Sequence, residues 1–390
     1  MKILFILNGH FDNGLELATE LQKIAEVHLV IQLEGDKLSQ SVFNLNISDI
    51  PLGFYSIKEL NTDLKFEINK LFALNLNRTY LLKYNSLSLR DLKNLRISKT
   101  FTDWIKKNKF NLVHYYGSSL TWVQQAFFLT SIKKIYTIHD YIPHTGDYSG
   151  SGYQYKFYMK VITNLKSTHY LLLSKRMQEE FISYYKINPE FCHYIYFGVF
   201  GSYLKFSTNK NIKHNYNILF FGRISPYKGI EYLIEATKLL KKEIPKLKTI
   251  IAGEGEFYFD IEEIKSDYHF EIYNNYINNE QLANLLTNSS LVVCPYIDAT
   301  QSGVIMTAYA FNKPVIATDV GSFKEYVIDG VTGFIVPPKN SHKLAEAIKK
   351  IIMDKELYNN IVKNIYEIKE QKFSWKKSAE QILTLYNKIL

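Results

Sequence analysis

Apolar and polar positions in this chain change period in a regular way. From Asn217 onward, short apolar runs at Asn217–Phe221, Lys248–Ala252, Phe270–Tyr273, Leu291–Pro295, Val315–Thr318 and Gly333–Val336 alternate with segments of helical period. Short apolar runs bounded by turn residues predict buried strands, and spacings such as Ile230, Leu233, Ile234 predict amphipathic helices. Strand and helix in strict alternation predict a parallel, doubly wound sheet covered on both faces. The front half repeats the pattern more loosely, with strands expected at Lys2–Leu7, Val27–Ile31, Leu112–Tyr115, Lys134–Ile138 and Tyr170–Leu173. The expectation is an α/β chain with two Rossmann-like domains.

The polar, aperiodic stretch 198–217 separates the two strand sets, so the domains are expected at residues 1–200 and 201–370. Residues 371–390 read as an amphipathic helix packing back towards the first domain, with Trp375 as a core aromatic. A chain of 390 residues with 46% hydrophobic content can fill two cores. Its formal net charge of +9 is spread over both halves. No helix-turn-helix, zinc or RNA-binding signature accompanies that charge, so a nucleic-acid partner is not expected. Cys192 and Cys294 each lie in an apolar run and read as reduced, buried thiols of a cytoplasmic protein. The opening "MKILFILNGHF" has an apolar core of only Ile3 to Leu7 and no small-residue cleavage site, so it reads as a first strand. No stretch reaches the ~20 apolar residues of a membrane span. Residues 70–110 interleave Lys and Arg with Leu, Phe, Tyr and Trp. They read either as solvated helices on a domain surface or as a patch lying against anionic lipid headgroups.

Candidate chemistry sits where strands end. In "FGRISPYKGI" an apolar strand runs into Gly222, Arg223 and Lys228 before a helix begins. A strand end followed by a helix start is a natural phosphate site, and a guanidinium fork with an ammonium neutralises a diphosphate without metal. Each cation taken alone reads as an ordinary surface charge. After Leu291–Pro295, the residues Gln301, Ser302, Gly303 and Val304 open a helix whose first N–H groups converge on one point. His139 and Asp140 follow the front strand Lys134–Ile138, although a histidine there is more often structural than catalytic. His139 and His144, with Pro143 between them, share no helix face, and no further ligand or Asp-x-Asp pair completes a metal site. A ligand held by two such sheets belongs outside their carboxyl ends, in an interdomain cleft.

These segments, "FGRISPYKGIEYLIEA", "IIAGEGE", "NNYINNEQLANLLTNSSLVVCPYIDATQSGVIMTAYAFNKPVIATDVGSFKEYVIDGVTGFIVPP" and the front "TIHD", together resemble a GT-B fold glycosyltransferase of family 4, of the type with a "QSGV" loop. The resemblance is strong over residues 217–353 and thin over 1–130 apart from the first strand and "NGHFDNG". It implies transfer of a sugar from a nucleotide-diphosphate donor with retention, without metal or other cofactor. It implies that Arg223 and Lys228 hold the diphosphate, Gly222 lets the backbone approach, and Gln301 to Val304 meet phosphates and sugar through their amides. Asn275, Tyr276 and Ile277 would border the nucleobase, and Glu254 lies in the "GxGE"-like turn. His139 would approach the donor sugar, with Asn8, Gly9 and Asp140 near sugar or acceptor. The family often carries two glutamates at the positions of Ala299 and Thr307. Here both acids are missing, Thr307 offers one hydroxyl, and Asp298 is a partial substitute. The acceptor implied is a saccharide, lipid-linked and met at the inner membrane face, in capsule, O-antigen or exopolysaccharide synthesis. Two alternatives stand beside this reading. One is a sugar-nucleotide epimerase of the same fold, using carboxylates such as Asp298, Asp319 or Glu325. The other is a silent nucleotide-sugar-binding partner.

Overall fold

The computed structural model describes residues 1–390 except 41, 87, 89–90, 143–149, 167 and 208–213. Pro143 and His144, considered above as part of a metal site, lie outside the described residues, as does 208–213 of the expected boundary segment. The chain divides into two compact units: unit 1 runs through Gly198 and takes back Ser374–Leu390, and unit 2 is Val199–Phe373.

Unit 1 begins β1 (Lys2–Asn8), α1 (Phe11–Ile24), β2 (Glu26–Glu34), then β3 (Lys37–Gln40) and β4 (Phe43–Asn46), which form a separate antiparallel ribbon. It continues through β5 (Gly53–Ser56), α2 (Asp63–Leu71), β6 (Thr79–Tyr84), α3 (Leu92–Lys107), β7 (Leu112–Gly117) and α4 (Thr121–Phe128). It closes its first pass with β8 (Lys133–Ile138), α5 (Gly150–Ile162), β9 (Thr168–Leu172), α6 (Lys175–Tyr185) and β10 (Cys192–Tyr194). The sheet order is β10-β9-β8-β7-β1-β2-β6-β5, parallel except for β5 against β6. Ile3 to Leu7 of β1 have no exposed surface, as a central strand covered on both faces requires. Each such side chain contributes about 1.5–3 kcal/mol of burial.

Unit 2 contains β11 (Asn217–Phe221), α7 (Ile230–Leu240), β12 (Lys248–Ala252), α8 (Glu262–Lys265), β13 (Phe270–Tyr273) and α9 (Asn279–Asn288). It goes on with β14 (Leu291–Cys294), α10 (Gly303–Ala310), β15 (Val315–Thr318), α11 (Phe323–Tyr326), β16 (Gly333–Val336), α12 (Ser341–Met353) and α13 (Lys355–Gln371). Its six parallel strands lie in the order β13-β12-β11-β14-β15-β16. The chain then re-enters unit 1 as α14 (Trp375–Ile389), capped by the Ser374 hydroxyl accepting from the Lys377 N–H. Trp375, Ala379, Ile382 and Tyr386 form its buried stripe, which packs on α1, and the Ser378 hydroxyl donates to the Tyr196 carbonyl at 2.8 Å.

One expectation is corrected here. Residues 70–110 are not a run of surface helices: β6 lies inside the sheet, with Leu81, Leu82 and Tyr84 fully buried. Trp104 joins Phe54, Tyr80, Phe101 and Phe110 in an aromatic cluster, with centroids 4.6 to 6.1 Å from its own. Of the segment's large apolar side chains, Leu92 and Leu95 on α3 remain exposed.

Both sheets reverse direction of growth at one point. In unit 1, β1 leads outward to β2 while β7, β8 and β9 grow the other way; in unit 2, β11 leads to β12 and β13 while β14 to β16 grow the other way. A crevice therefore opens at the carboxyl ends between β1 and β7, and between β11 and β14, where doubly wound folds take ligands.

Candidate active site

In unit 2 the backbone leaves β11 as Gly222 and Arg223. Its amides continue the ladder beyond the strand, Gly222 N–H to the Ala252 carbonyl and Ile224 N–H to the Glu254 carbonyl, each at 3.0 Å. Only glycine at 253 allows this approach: a Cβ there would sit 1.9 Å from the Gly222 carbonyl oxygen, and φ is 153°. The paired loops frame a cavity of 510 Å³ lined by Phe221, Gly222, Arg223, Glu254, Tyr276, Ile277 and Leu282. An apolar floor with an exposed ring at its mouth suits a planar, partly apolar group such as a nucleobase. Asn275 does not line the cavity; its side-chain amide donates to the Tyr276 carbonyl at 2.8 Å.

Lys228 closes a short turn, Pro226–Lys228, and is nine-tenths buried. Its ammonium stands 3.8 Å from the Tyr296 ring centroid and 4.9 Å from that of Tyr227, aromatic faces that offset part of its desolvation. The Tyr296 hydroxyl lies 3.4 Å from Ser302 Oγ, which caps α10 by accepting from the Val304 N–H at 3.3 Å. Val304 in turn reaches within 3.9 Å of the point a Gly222 side chain would occupy. The fold thus brings Gly222, Arg223, Lys228, Ser302, Gly303 and Val304 to one crevice. Arg223 is exposed there. Two nearby polar atoms, Ser225 Oγ and Gln301 Oε1, are buried without a hydrogen-bond partner among the described residues. Unpartnered buried polar groups in a crevice point to a ligand that completes them.

Neither Ala299 nor Thr307 presents a carboxylate to the crevice. Ala299 is a buried methyl, and the buried Thr307 hydroxyl donates to the Gly303 carbonyl at 3.0 Å, one turn back in its own helix. Thr307, expected as a donor contact, therefore has its proton engaged within α10. Asp298 is exposed, and Asp319 is ion-paired with Lys324 at 2.6 Å.

In unit 1, Asn8, Gly9 and His10 leave β1 at its crevice. The Asn8 amide donates to the Gln32 carbonyl at 3.4 Å, and His10 turns the chain into α1 with φ 47°. His139, immediately after β8, is buried; its ring stacks on His10 with centroids 3.7 Å apart and meets Tyr116 edge-on at 4.8 Å. Neither ring nitrogen of His139 has a partner among the described residues. Burial, helped by the neighbouring His10, pushes its pKa well below the ordinary imidazole value, so it is neutral at pH 7. Asp140 is half-buried, and its carbonyl accepts the Tyr155 hydroxyl. Asn8, Gly9, His10 and His139 are therefore neighbours at this edge.

Three contributors were not anticipated. Asn274 grips Gly255 through both ends of its amide, accepting from the N–H at 3.2 Å and donating to the carbonyl at 3.0 Å, which fixes the loop carrying Glu254. Tyr296 carries the Lys228 ammonium, and His10 stacks on His139. The available signals are the polar "NN" directly after β13, the tyrosine two residues after β14, and the Gly-His pair after β1. Cys294 beneath Tyr296 is a free, buried thiol whose pKa burial pushes up to about 12, so it is un-ionised.

Two family models match the chain: Glycosyltransferase Family 4 over residues 15–200 and Glycosyl transferases group 1 over residues 204–368. The chain is 31% identical to the capsular polysaccharide biosynthesis glycosyltransferase CapM of Staphylococcus aureus over 186 residues, 47% of this chain and 48% of that protein. It is 27% identical to the alpha-D-kanosaminyltransferase of Streptomyces kanamyceticus over 175 residues, 44% of this chain and 45% of that protein. Its fold matches the crystal structure of Anabaena HepE in complex with UDP with a TM-score of 0.68 at 18% identity, covering 100% of both chains. The matched part spans 45% to 62% of the length of the first curated relatives.

Proposed function

We propose, from the premise that this chain belongs to the GT-B glycosyltransferases, that it moves a sugar from a nucleotide-diphosphate donor to a saccharide acceptor with retention at the anomeric carbon. The observation that carries this reading is the crevice of unit 2, where Arg223, Lys228 and the first amides of α10 surround Gly222 beside a 510 Å³ cavity. The cavity takes the nucleobase, and the diphosphate lies along Gly222. As the anomeric C–O bond breaks, negative charge grows on the departing diphosphate. The guanidinium, the ammonium and the first amides of α10 stand at that crevice, and donors held ready around developing charge are what lower such a barrier most. The leaving group takes the acceptor hydroxyl's proton on the same face while the acceptor oxygen bonds to the anomeric carbon. No protein base or metal is needed for that balance. In unit 1 the neutral His139 offers a ligand hydrogen bonding rather than charge.

A uridine nucleotide is the first donor to try, supported by the UDP bound in Anabaena HepE, and a surface polysaccharide is the product class, supported by the similarity to CapM. No helix among the described residues is long and apolar enough to cross a membrane. We place the reaction at the cytoplasmic face with a lipid-linked acceptor, supported by Leu92 and Phe127, each 75% exposed, with Lys93 and Arg96 on α3 beside Leu92. A second reading, binding without transfer, is favoured by Ala299 and the internally bonded Thr307, which leave the sugar and ribose without the usual acids.

A thermal-shift screen with UDP, GDP and ADP and their sugar conjugates, with and without Mg²⁺, tests the reading. A ligand at a hundred times its Kd stabilises the native state by about 2.7 kcal/mol. One nucleotide series should shift the melting temperature without Mg²⁺; no shift with any of them overturns the proposal. A shift without release of nucleotide or transfer to any saccharide moves the silent reading ahead.

A further inference from the structure

At the carboxyl edge of the unit 1 sheet a polar network joins the end of β2 to the residues that follow β7. Gln32 is fully buried there and its amide orientation is fixed by chemistry. The Trp122 indole N–H, which can only donate, lies 2.9 Å from Gln32 Oε1. Gln32 Nε2 must therefore face the other way, where it lies 3.1 Å from Glu34 Oε1, 2.9 Å from Ser119 Oγ and 3.0 Å from Thr121 Oγ1. The Ser119 hydroxyl donates to the same carboxylate oxygen at 2.8 Å. Glu34 Oε1 is thus held by two donors from buried or nearly buried side chains. No hydrogen bond or ion pair to Glu34 Oε2 is found among the described residues, and Glu34 itself is half-exposed. Burial lifts the Glu34 pKa above its ordinary value, the Ser119 and Gln32 donors opposing part of that rise.

Holding one oxygen of a carboxylate rigidly while leaving the other open costs desolvation without an internal ion pair to offset it. A structural carboxylate would ordinarily have its second oxygen satisfied or turned to bulk water on a flexible side chain. Here the open oxygen belongs to a side chain locked by Gln32, and Gln32 is tied to the Asn8 amide through its own carbonyl. The lock therefore joins the edge that also carries Gly9, His10 and His139. Among ligands, the open oxygen selects a hydrogen-bond donor. The surrounding partners are neutral amides, hydroxyls and an indole, the set that recognises a polyol by direction rather than by charge.

We propose that Glu34 orients the acceptor saccharide, its Oε2 accepting a hydrogen bond from an acceptor hydroxyl while Gln32 and Ser119 hold the carboxylate in place. This deepens the transferase reading and rests on it for the word acceptor; binding of a saccharide at Glu34 does not. Glu34 is a positioning residue, since the departing diphosphate already takes the transferred proton.

Saturation-transfer NMR with methyl glucopyranoside, methyl galactopyranoside and methyl N-acetylglucosaminide, on the full chain, tests the proposal. At least one glycoside should bind the wild type. Glu34→Gln, which keeps the shape but turns an amide donor outward, should weaken it at least about tenfold, as expected for losing a hydrogen bond to a charged group. Glu34→Asp, which keeps the charge but withdraws it by one methylene, should also weaken binding. Ser119→Ala, which removes one of two donors, should weaken it less. Unchanged melting temperature and unchanged nucleotide response in these variants separate positioning from a folding role. Equal saccharide binding by wild type, Glu34→Gln and Glu34→Asp, including no binding by any, overturns the proposal. The nucleotide shift on the same preparations is read independently. Its absence beside a Glu34-dependent saccharide signal sinks the transferase reading alone, and its presence without Glu34 dependence sinks this proposal alone.

Discussion

The carboxyl edges of the two sheets share a topology and differ in chemistry. In unit 2 the crevice between β11 and β14 is cationic and made largely of backbone: an exposed guanidinium, an ammonium resting on tyrosine faces, and the first amides of α10. In unit 1 the crevice between β1 and β7 carries a neutral buried imidazole, an amide on Asn8 and a carboxylate with one oxygen pinned. Cations on long side chains suit a diphosphate, whose affinity comes from neutralisation and tolerates some play in position. Fixed donors and acceptors suit a neutral polyol, which offers only direction. On the proposed reading, the same doubly wound frame would serve two ligand classes because the residues at the strand ends, and not the strands, set the chemistry.

Removing the cations of unit 2 is the most severe way to break this contrast. Arg223→Ala and Lys228→Ala should each lower turnover by ~10²–10³, the cost of losing one preformed donor to developing charge. Steady-state rates with the donor found in the thermal screen check this, with circular dichroism to confirm the fold. Near-normal turnover in either variant would remove that cation from the proposed diphosphate cradle.

The next largest effects are structural and separate the units. Gly253→Ala places a Cβ 1.9 Å from the Gly222 carbonyl oxygen, and Gly117→Ala places one 1.8 Å from the Asn8 carbonyl oxygen, each at a positive φ. Backbone must move in both cases, at a cost of about 2–3 kcal/mol. Differential scanning calorimetry with the nucleotide titrated in should show Gly253→Ala losing the nucleotide response. Gly117→Ala should keep that response and lower the unfolding temperature. If the two variants behave alike, the edges are energetically linked and the contrast between them weakens.

How far each edge is legible in the sequence follows from where its partners lie. The strands of unit 2 are short solid apolar runs, so β11, β12, β13, β15 and β16 fall at their expected positions and β14 ends one residue early. Arg223, Lys228 and the Ser302 cap announce themselves by following those strands directly. In unit 1, β6 reads "TYLLKY" inside a basic, aromatic stretch and is hidden by its flanks, and β5 is a four-residue antiparallel edge strand with every residue partly exposed, too short to show a period. The Asn274 grip depends on the pairing of β12 with β13, Ala252 beside Tyr273, which brings the loops after both strands together. The Glu34 lock joins β2 to residues 119–122, some 85 positions away for Ser119, and no local pattern encodes such a partner. His139 was visible as a strand-end histidine, but its stacking on His10 was not.

Buried imidazoles give the mildest test. His114 and His139 are the histidines buried among the described residues, and both belong to unit 1. His114 lies between the Tyr386 hydroxyl of α14, at 2.6 Å, and the Thr137 hydroxyl, at 2.7 Å, and burial lowers its pKa to about 3. The folded imidazole therefore stays neutral where an unfolded one, with a pKa near 6.5, takes up a proton. The unfolded state binds more protons as pH falls below about 6.5, so stability falls in that direction, by about 1.4 kcal/mol per pH unit for each such group. Moving from pH 7 to pH 5 should cost unit 1 about 2 kcal/mol from His114 alone. Unit 2 should change less over that range. Its Glu271 carboxylate, held below the ordinary range by the Lys248 ammonium and the Tyr273 hydroxyl, is lost only as pH falls below the usual carboxylate values. Amide hydrogen exchange at the two pH values, corrected for intrinsic rates, should show β7 and β8 losing protection while β11 and β12 keep theirs. His114→Asn should flatten the slope of unit 1 by one group whatever it does to absolute stability. A slope unchanged by that substitution would place the acid sensitivity elsewhere and remove the imidazole core as a distinction between the units.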